Sequence, residues 1–400
     1  MFFGFGLAYP IESLLLSKKL QKRKLYCFEP LPEIFEIKEV QRRKLEIEKL
    51  ALKFSLGLTF IKVGDKISEN FLIFSQAYYK RNHSEILSEF IKSVNFTKTS
   101  DKTISHFSNT WLRNSLIFLK NAQAKFIYKL NLKYKTIVFV GASPILEEEL
   151  DTIKKFRDSF YLFSSDTALG FLQSEGLSPD LILSVDSGRG TFYHFHSYRG
   201  DTPILSWPGG NYQIQKLCGS IYYYCSSYPL DQLIAAYLNI PILPNPSMNV
   251  AGLAKSLCVQ FEASKLIYAG VSFASYKGKS HCRGTGYEKF RLPGLDRYHS
   301  LYSYSLNSYR KEKSDKDKLA YSEILKNETN LKTYLFSDFQ SQFVKEKYEK
   351  MEFLTHTLKD TGSIIRILDN TDILNGVCKE LQIEPHKFKE KLHKIGLSPK

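Results

Sequence analysis

Two aspartates, one histidine and two clusters of small turn residues carry the chemistry that this sequence can offer. Asp166 and Asp186 each follow a short apolar run, Phe160–Phe163 and Leu181–Val185. Gly141-Ala142-Ser143-Pro144 follows another, Ile137–Val140, and Gly270-Val271-Ser272 follows Lys265–Ala269. His281 comes soon after, in a basic loop with Lys279 and Arg283. An aspartate or an imidazole can take a proton from a hydroxyl, and imidazole titrates near neutral pH. Gly141 permits a turn closed to other residues, Ser143 suits an N-cap, and Pro144 suits the first helical position. That pattern predicts backbone N–H groups and a helix dipole facing the strand end, where a phosphate can sit. The plain alternative is a tight turn into a helix with no ligand.

The elements that must position these groups alternate. Between the runs at 137–140, 160–163 and 181–185 lie helical periods around Leu146–Phe156 and Thr167–Gly176. Strand, helix, strand in this rhythm predicts a parallel sheet joined by right-handed crossovers, with ligands bound outside the carboxyl ends of the strands. Pro203–Trp207 and Ser220–Tyr224 read as further strands and Pro229–Leu238 as a helix. Val250, Leu253, Ala254, Leu257, Cys258 and Phe261 repeat at helical spacing, with Ser247 or Asn249 as the cap. The clusters should therefore converge on one crevice. Gly278-Lys279-Ser280 matches the end of a P-loop, but Phe273 stands where the leading glycine belongs, which rules that motif out. His194 and His196 lack an evident third ligand, so metal binding there is not expected.

The 400 residues carry a net charge of +15 and six cysteines. The charge suits nucleic acid, an anionic membrane or an anionic small molecule. No reader motif for nucleic acid is present, and no apolar run reaches the length of a membrane span. Glu12 and the missing basic stretch argue against a signal peptide. No cysteines are spaced C-x-x-C, which argues for a reducing, cytoplasmic setting and against structural zinc. Residues 1–72 read as a small Rossmann-like α/β domain. In it Gly4-Phe5-Gly6 and Glu29 are laid out as in nucleotide sites, but without the third glycine; a structural module is the favoured reading. Pro32–Phe54 reads as one amphipathic helix with Ile34, Ile37, Leu45 and Leu50 apolar, and Leu58–Val63 as a strand. Residues 73–133 read as a helical connector, 134–297 as the catalytic domain, and 298–400 as a helical C-terminal region. There Thr329–Leu358 reads as helix, Ser363–Leu368 as strand-like, and Tyr309–Lys318 as a solvated charge run.

Taken together, Gly141-Ala142-Ser143-Pro144, Asp166, the Pro179-Asp180 to Asp186 spacing, Ser247-Met248-Asn249-Val250-Ala251 and Gly270-Val271-Ser272 with His281 resemble the 6-hydroxymethylpterin diphosphokinase-like domain. This is the domain of the motility accessory factor glycosyltransferases. Gly4-Phe5-Gly6-Leu7 with Glu29-Pro30, Gln76-Ala77-Tyr78, and Thr110-Trp111 with Asn114 resemble that family's flanking segments. The chain departs from it at Ala142-Ser143-Pro144, where Gly-Pro-Ser is common, and at Ser272, where an aspartate is common.

The resemblance implies a Rossmann-like α/β enzyme. It would move a nonulosonic acid, such as pseudaminic acid, from its CMP-activated form to Ser or Thr of flagellin. Backbone donors at Gly141, Ala142, Ser143, Met248 and Asn249 would hold the anionic donor, with Gly270 and Ser272 beside them. Arg189, Lys279 or Arg283 would add charge. Asp186 and His281 would take the acceptor proton, and Asp166 would orient the ribose. The rival activity is pyrophosphoryl transfer from ATP to a hydroxymethyl pterin, which needs Mg²⁺ between triphosphate and carboxylates. A non-catalytic flagellin-binding protein is the third reading.

Overall fold

The computed structural model describes all residues except 18–23, 62–73, 121–122, 248, 302, 304–314, 345–346, 395–396 and 398–400. The chain divides into two compact units, 1–106 and 107–400.

The first unit holds a parallel sheet of β1 (Phe2–Phe3), β2 (Leu25–Phe28), β3 (Leu58–Ile61) and β4 (Phe74–Ser75), in the order β3-β2-β1-β4. Its strand ends are filled from within. Glu29 accepts the N–H groups of Phe5 and Leu31 and the hydroxyl of Tyr79, and Gln76 donates to the carbonyls of Gly4 and Phe5. These contacts fit the structural reading of the Gly4-Phe5-Gly6 turn. The single helix expected over Pro32–Phe54 is two elements, a 3-10 turn at Pro32–Glu36 and a helix at Lys38–Lys53, because Ile37 is extended between them. The buried face is Val40, Arg43, Ile47 and Ala51, and Ile37 and Leu45 are exposed. Arg43 can be buried because Glu12 and Glu46 both pair with it at 2.8 Å.

The second unit is built on β5 (Ala124–Leu130), β6 (Thr136–Val140), β7 (Tyr161–Ser165), β8 (Leu181–Leu183), β9 (Ile204–Ser206), β10 (Ile221–Tyr223), β11 (Lys265–Ala269), β12 (Lys332–Leu335) and β13 (Phe353–Leu358). They form one sheet in the order β12-β11-β6-β7-β8-β9-β10-β5-β13, in which every pairing is parallel except that of β13 with β5. The central strands are apolar on both faces because helices cover both. Ile137 and Phe139 join the core under the helices Pro229–Leu238 and Val250–Gln260. Val138 and Val140 join the opposite core, under Leu146–Lys155 and Asp166–Ser174.

Three stretches depart from the sequence reading. Ala124–Leu130, expected inside a helical connector, is a strand that buries Phe126, Ile127 and Leu130 between β10 and β13. Thr329–Leu358, expected to be helical, contains β12 and β13, whose backbones find partners in β11 and β5. Ser363–Leu368, expected to be strand-like, belongs to the helix Thr361–Ile367, capped by the Asp360 side chain through the N–H groups of Gly362 and Ser363. The charge run at Tyr309–Lys318 lies largely outside the described residues.

Candidate functional site

After β6 the chain builds β7 to β10 on one side and then returns to place β11 on the other. β6 and β11 therefore flank the topological switch point, where open parallel sheets bind ligands. A cleft of about 550 Å³ opens there. It is lined by Gly141, Ala142 and Ser143 after β6, Ser165 and Thr167 after β7, Asn249, Val250 and Ala251 at a helix start, Gly270, Val271 and Ser272 after β11, and Ser280, His281, Tyr287 and Arg291 beyond. Seven of the ten residues read from the sequence as catalytic or binding thus meet in one place: Gly141, Ala142, Ser143, Asn249, Gly270, Ser272 and His281. Met248 lies outside the described residues. Asp166 lies between two lining residues, Ser165 and Thr167, and Asp186 is not among the lining residues.

The turn after β6 has a different design from the one expected. Gly141 and Gly270 approach so closely that a Cβ on Gly141 would lie 2.6 Å from the Gly270 carbonyl oxygen, and Gly270 itself has φ +60°. Packing of two strand ends against each other, rather than ligand approach, explains both glycines. The Gly141 N–H donates to Ala269 at 2.9 Å and the Ser143 N–H to Gly270 at 2.8 Å, so neither is left for an anion. Ser143 is not a cap. The helix begins at Leu146 with no side-chain cap, and the Ser143 and Ser272 hydroxyls share a hydrogen bond of 2.6 Å.

That helix carries Glu147, Glu148 and Glu149 in its first turn, which complement its positive end and repel a second anion. Glu147 holds Lys279 at 2.9 Å and also accepts the Arg283 N–H. Glu148 pairs with Lys277, and Glu175 with Arg283. Of the cations expected to serve a ligand, Lys279 and Arg283 are therefore paired within the protein, and Arg189 is not among the residues lining the cleft. Glu149 accepts the Gly270 N–H at 2.7 Å, and burial pushes its carboxyl up to about 7, opposed by that hydrogen bond.

The second helix start is unlike the first. Asn249 caps Val250–Gln260 by accepting the Gly252 N–H at 2.9 Å, and no acid lies in the first turn. Among the described residues the N–H groups of Val250 and Ala251 have no protein acceptor. Free amides at the positive end of a helix dipole are the kind of donors that can hold an anion.

Titratable groups gather around Tyr287. Its ring centroid lies 4.7 Å from that of His194 and 4.7 Å from that of His281. Burial, then His194 and Arg291, push His281 down to about 4, so it is neutral at physiological pH. His194, buried outright, is also pushed down to about 4, although Asp186 pulls it upward. Desolvation pushes Asp186 up to about 6, assisted by Asp166 and opposed by His194. Asp186 and His281 both keep contact with solvent, which tempers their shifts relative to an enclosed group. Asp166 is enclosed. Burial pushes it up to about 6, while Ser184 donates to one carboxylate oxygen at 2.7 Å and Thr167 to the other at 3.1 Å.

The loop that carries Asp186 is braced from three directions. Trp207 donates to the Val185 carbonyl at 2.7 Å, and the Asn211 N–H to that of Asp186 at 3.1 Å. Buried Asn114 donates to both Ser187, at 3.0 Å, and Gly209, at 3.2 Å. Tyr287, His194, Asn211 and Glu149 were not singled out as site residues from sequence. Only the proximity of Tyr287 to His281 in the chain was a usable signal; the others depend on contacts between distant segments.

Residues 109–278 match the family model described as 6-hydroxymethylpterin diphosphokinase MptE-like. A protein of Treponema pallidum (strain Nichols) named only as uncharacterized is 29% identical over 134 residues, which are 32% of this chain and 63% of that protein. The chain thus spans less than two thirds of that relative. The solved structure of the MAf glycosyltransferase from Magnetospirillum magneticum AMB-1 matches with a TM-score of 0.51 at 12% identity, over 87% of this chain and 58% of that one. At that identity the likeness is one of fold. The matching domain and the matching fold agree with the resemblance read from the sequence.

Proposed function

We propose that this chain, whose residues 109–278 match the MptE-like family model, is a glycosyltransferase that moves a nonulosonic acid from its CMP-activated form to a serine or threonine hydroxyl of flagellin. The observation that carries the reading is one cleft that joins an acid-free helix start at Val250 to the His281 and Tyr287 side chains. The amides of Val250 and Ala251 suit the donor phosphate, and the hydroxyls of Ser165, Thr167 and Ser280 suit sugar or ribose. CMP leaves readily, so positioning the acceptor and removing its proton are the main tasks. The acceptor oxygen bonds to the anomeric carbon, the bond from that carbon to the phosphate oxygen breaks, CMP departs with the electron pair, and the hydroxyl proton passes to the protein. His281 lies on the cleft to receive it. Asp186 lies within electrostatic reach of Tyr287 and is the alternative acceptor.

The residues present do not fit a Mg²⁺ ion bridging a triphosphate. Asp166 is committed to Ser184 and Thr167, Asp186 lies off the cleft lining, Ser272 brings no carboxylate, and Asp317 is the one carboxylate among the described lining residues. Among the described residues no three His, Cys, Asp or Glu side chains are grouped to hold a metal. This disfavours pyrophosphoryl transfer. Among the same residues no helix is long and apolar enough to cross a membrane.

Calorimetry with CMP and with ATP plus Mg²⁺ tests the reading, and binding of CMP is the expected result. Binding of ATP only, or of neither, would refute it. The pH profile of transfer then assigns the proton: a limb near 6 that vanishes in Asp186→Asn points to Asp186, and a limb near 4 points to His281.

A further inference from the structure

Beside the cleft the molecule exposes aromatic and aliphatic surface that its own core does not use. The 3-10 helix Arg189–Phe195 packs against the helix Gly286–Arg291. Tyr193 and Phe290 meet edge to face across that junction at 5.4 Å between centroids, yet remain 47% and 64% exposed. Leu292, immediately after the second helix, is 49% exposed. Grouped aromatic side chains left open to water mark surfaces that bind something else.

The ledge runs directly into the cleft, because Tyr287 and Arg291 of the same short helix line it. Its charge is also one-sided. Arg189 and Lys289 are exposed and have no acidic partner among the described residues, in contrast to Lys277, Lys279 and Arg283, which glutamates neutralise. Glu288 of the same helix is turned inward, accepting the Gly284 N–H at 2.7 Å.

We infer that this ledge is the docking surface for the acceptor polypeptide, an inference that rests on the transferase reading above. An extended acceptor segment lies across the two helices, with an apolar side chain against Tyr193 and Phe290 and acidic side chains beside Arg189 and Lys289. Its hydroxyl residue then reaches past Tyr287 into the cleft. The uncompensated positive charge selects a polypeptide with acids near the modified residue, and it raises the encounter rate in a salt-dependent way.

The experiment uses the full chain, purified flagellin of the same cells, and the double substitution Tyr193→Ala with Phe290→Ala. Flagellin affinity is measured by biolayer interferometry and CMP affinity by calorimetry. Loss of two aromatic contacts predicts flagellin binding weaker by about tenfold or more. CMP affinity should be unchanged, which also reports that the variant is folded. Lys289→Glu should weaken flagellin binding as well, most strongly at low salt. Equal flagellin affinity for both chains, or no binding by either, overturns the inference. A dimer that forms without flagellin and is lost on Phe290→Ala assigns the ledge to a second copy and overturns it too. Failure of CMP to bind the wild-type chain is a separate result and strikes the transferase reading instead.

Discussion

Replacing Asn114 tests whether the geometry of the Asp186 loop is imposed from outside the loop. The Asn114 side chain is 2% exposed and its amide donates to two carbonyls, those of Ser187 and Gly209. Asn114→Ala removes both bonds and leaves two buried acceptors without a donor. At roughly 1 kcal/mol per bond, with a further penalty for the stranded carbonyls, the expected loss is about 2–4 kcal/mol. For a unit of this size that corresponds to a melting temperature lower by roughly 5–10 °C. Asn114→Asp is the sharper variant because the shape is retained. It sets carboxylate oxygens about 3 Å from two carbonyl oxygens, so only the protonated acid can donate to one of them. The folded-state pKa of the new acid is therefore raised above its unfolded value. A raised pKa means that the variant is closest to wild type below the unfolded value, near pH 4, and loses stability as pH rises through the folded value. Thermal unfolding at pH 4.5 and pH 8 should show the gap from wild type widening at the higher pH, with CMP affinity falling in parallel. If Asn114→Asp unfolds like wild type at pH 8, the brace does not hold the loop and the reasoning fails.

The other expectations concern the cleft itself. Val250→Glu places an acid in the first turn of a helix that has none. Helix stability should hold or rise by roughly 0.3–1 kcal/mol, while CMP affinity measured by calorimetry should fall at least tenfold; retained affinity would remove that helix start from the site. Glu149→Gln keeps an oxygen for the Gly270 N–H and removes a group pushed up to about 7. Because that pKa is raised, wild type loses stability as pH rises through about 7, and the Gln variant should not, as denaturant titrations at pH 6 and pH 8 would show. Gly270→Ala brings a Cβ onto the Gly141 carbonyl at a positive φ. A loss of about 1–2 kcal/mol from the backbone conformation alone is expected, more from the clash, and equal melting of variant and wild type would contradict the close approach.

The central strands were legible because apolar runs flanked by helical periods leave little choice of register or neighbour. β6, β7, β8 and β11 are buried on both faces, and their polar ends stand out against them. The two edge strands and the strand next to one edge were not. β12, β13 and β5 mix lysines, threonines and aromatics in short segments, and their backbones become strands only because a neighbour distant in sequence offers hydrogen bonds. The same limit applied within the site. Gly141 and Ser143 have the residue types of an anion-binding turn, and nothing near them in sequence shows that their N–H groups belong to Ala269 and Gly270. Asp166 shows an acid at a strand end, but its engagement by Ser184 appears only when β7 and β8 lie side by side.

Charge accounting decides where a ligand can sit. The chain carries a net +15, which alone would favour an anion almost anywhere. At the cleft, however, the run Glu147-Glu148-Glu149 has already drawn in Lys277, Lys279 and the Arg283 backbone, and Glu175 holds the Arg283 guanidinium. Those pairs fasten the loop after β11 to the helices after β6 and β7. They give the loop order and leave little field for a phosphate. An exposed pair contributes about 1 kcal/mol or less, so the fastening is a sum of several weak ties. The helix start at Val250 is different. Among the described residues it has two N–H groups without protein acceptors, a cap that uses only the third, and no acid in its first turn. One end of the cleft is thus occupied by paired charges, and the other offers free amides, with Asp317 the one carboxylate among the described lining residues. Under the proposed transferase reading, an anionic donor enters with its phosphate at the free-amide end and its far end toward His281 and Tyr287, which line the same cleft.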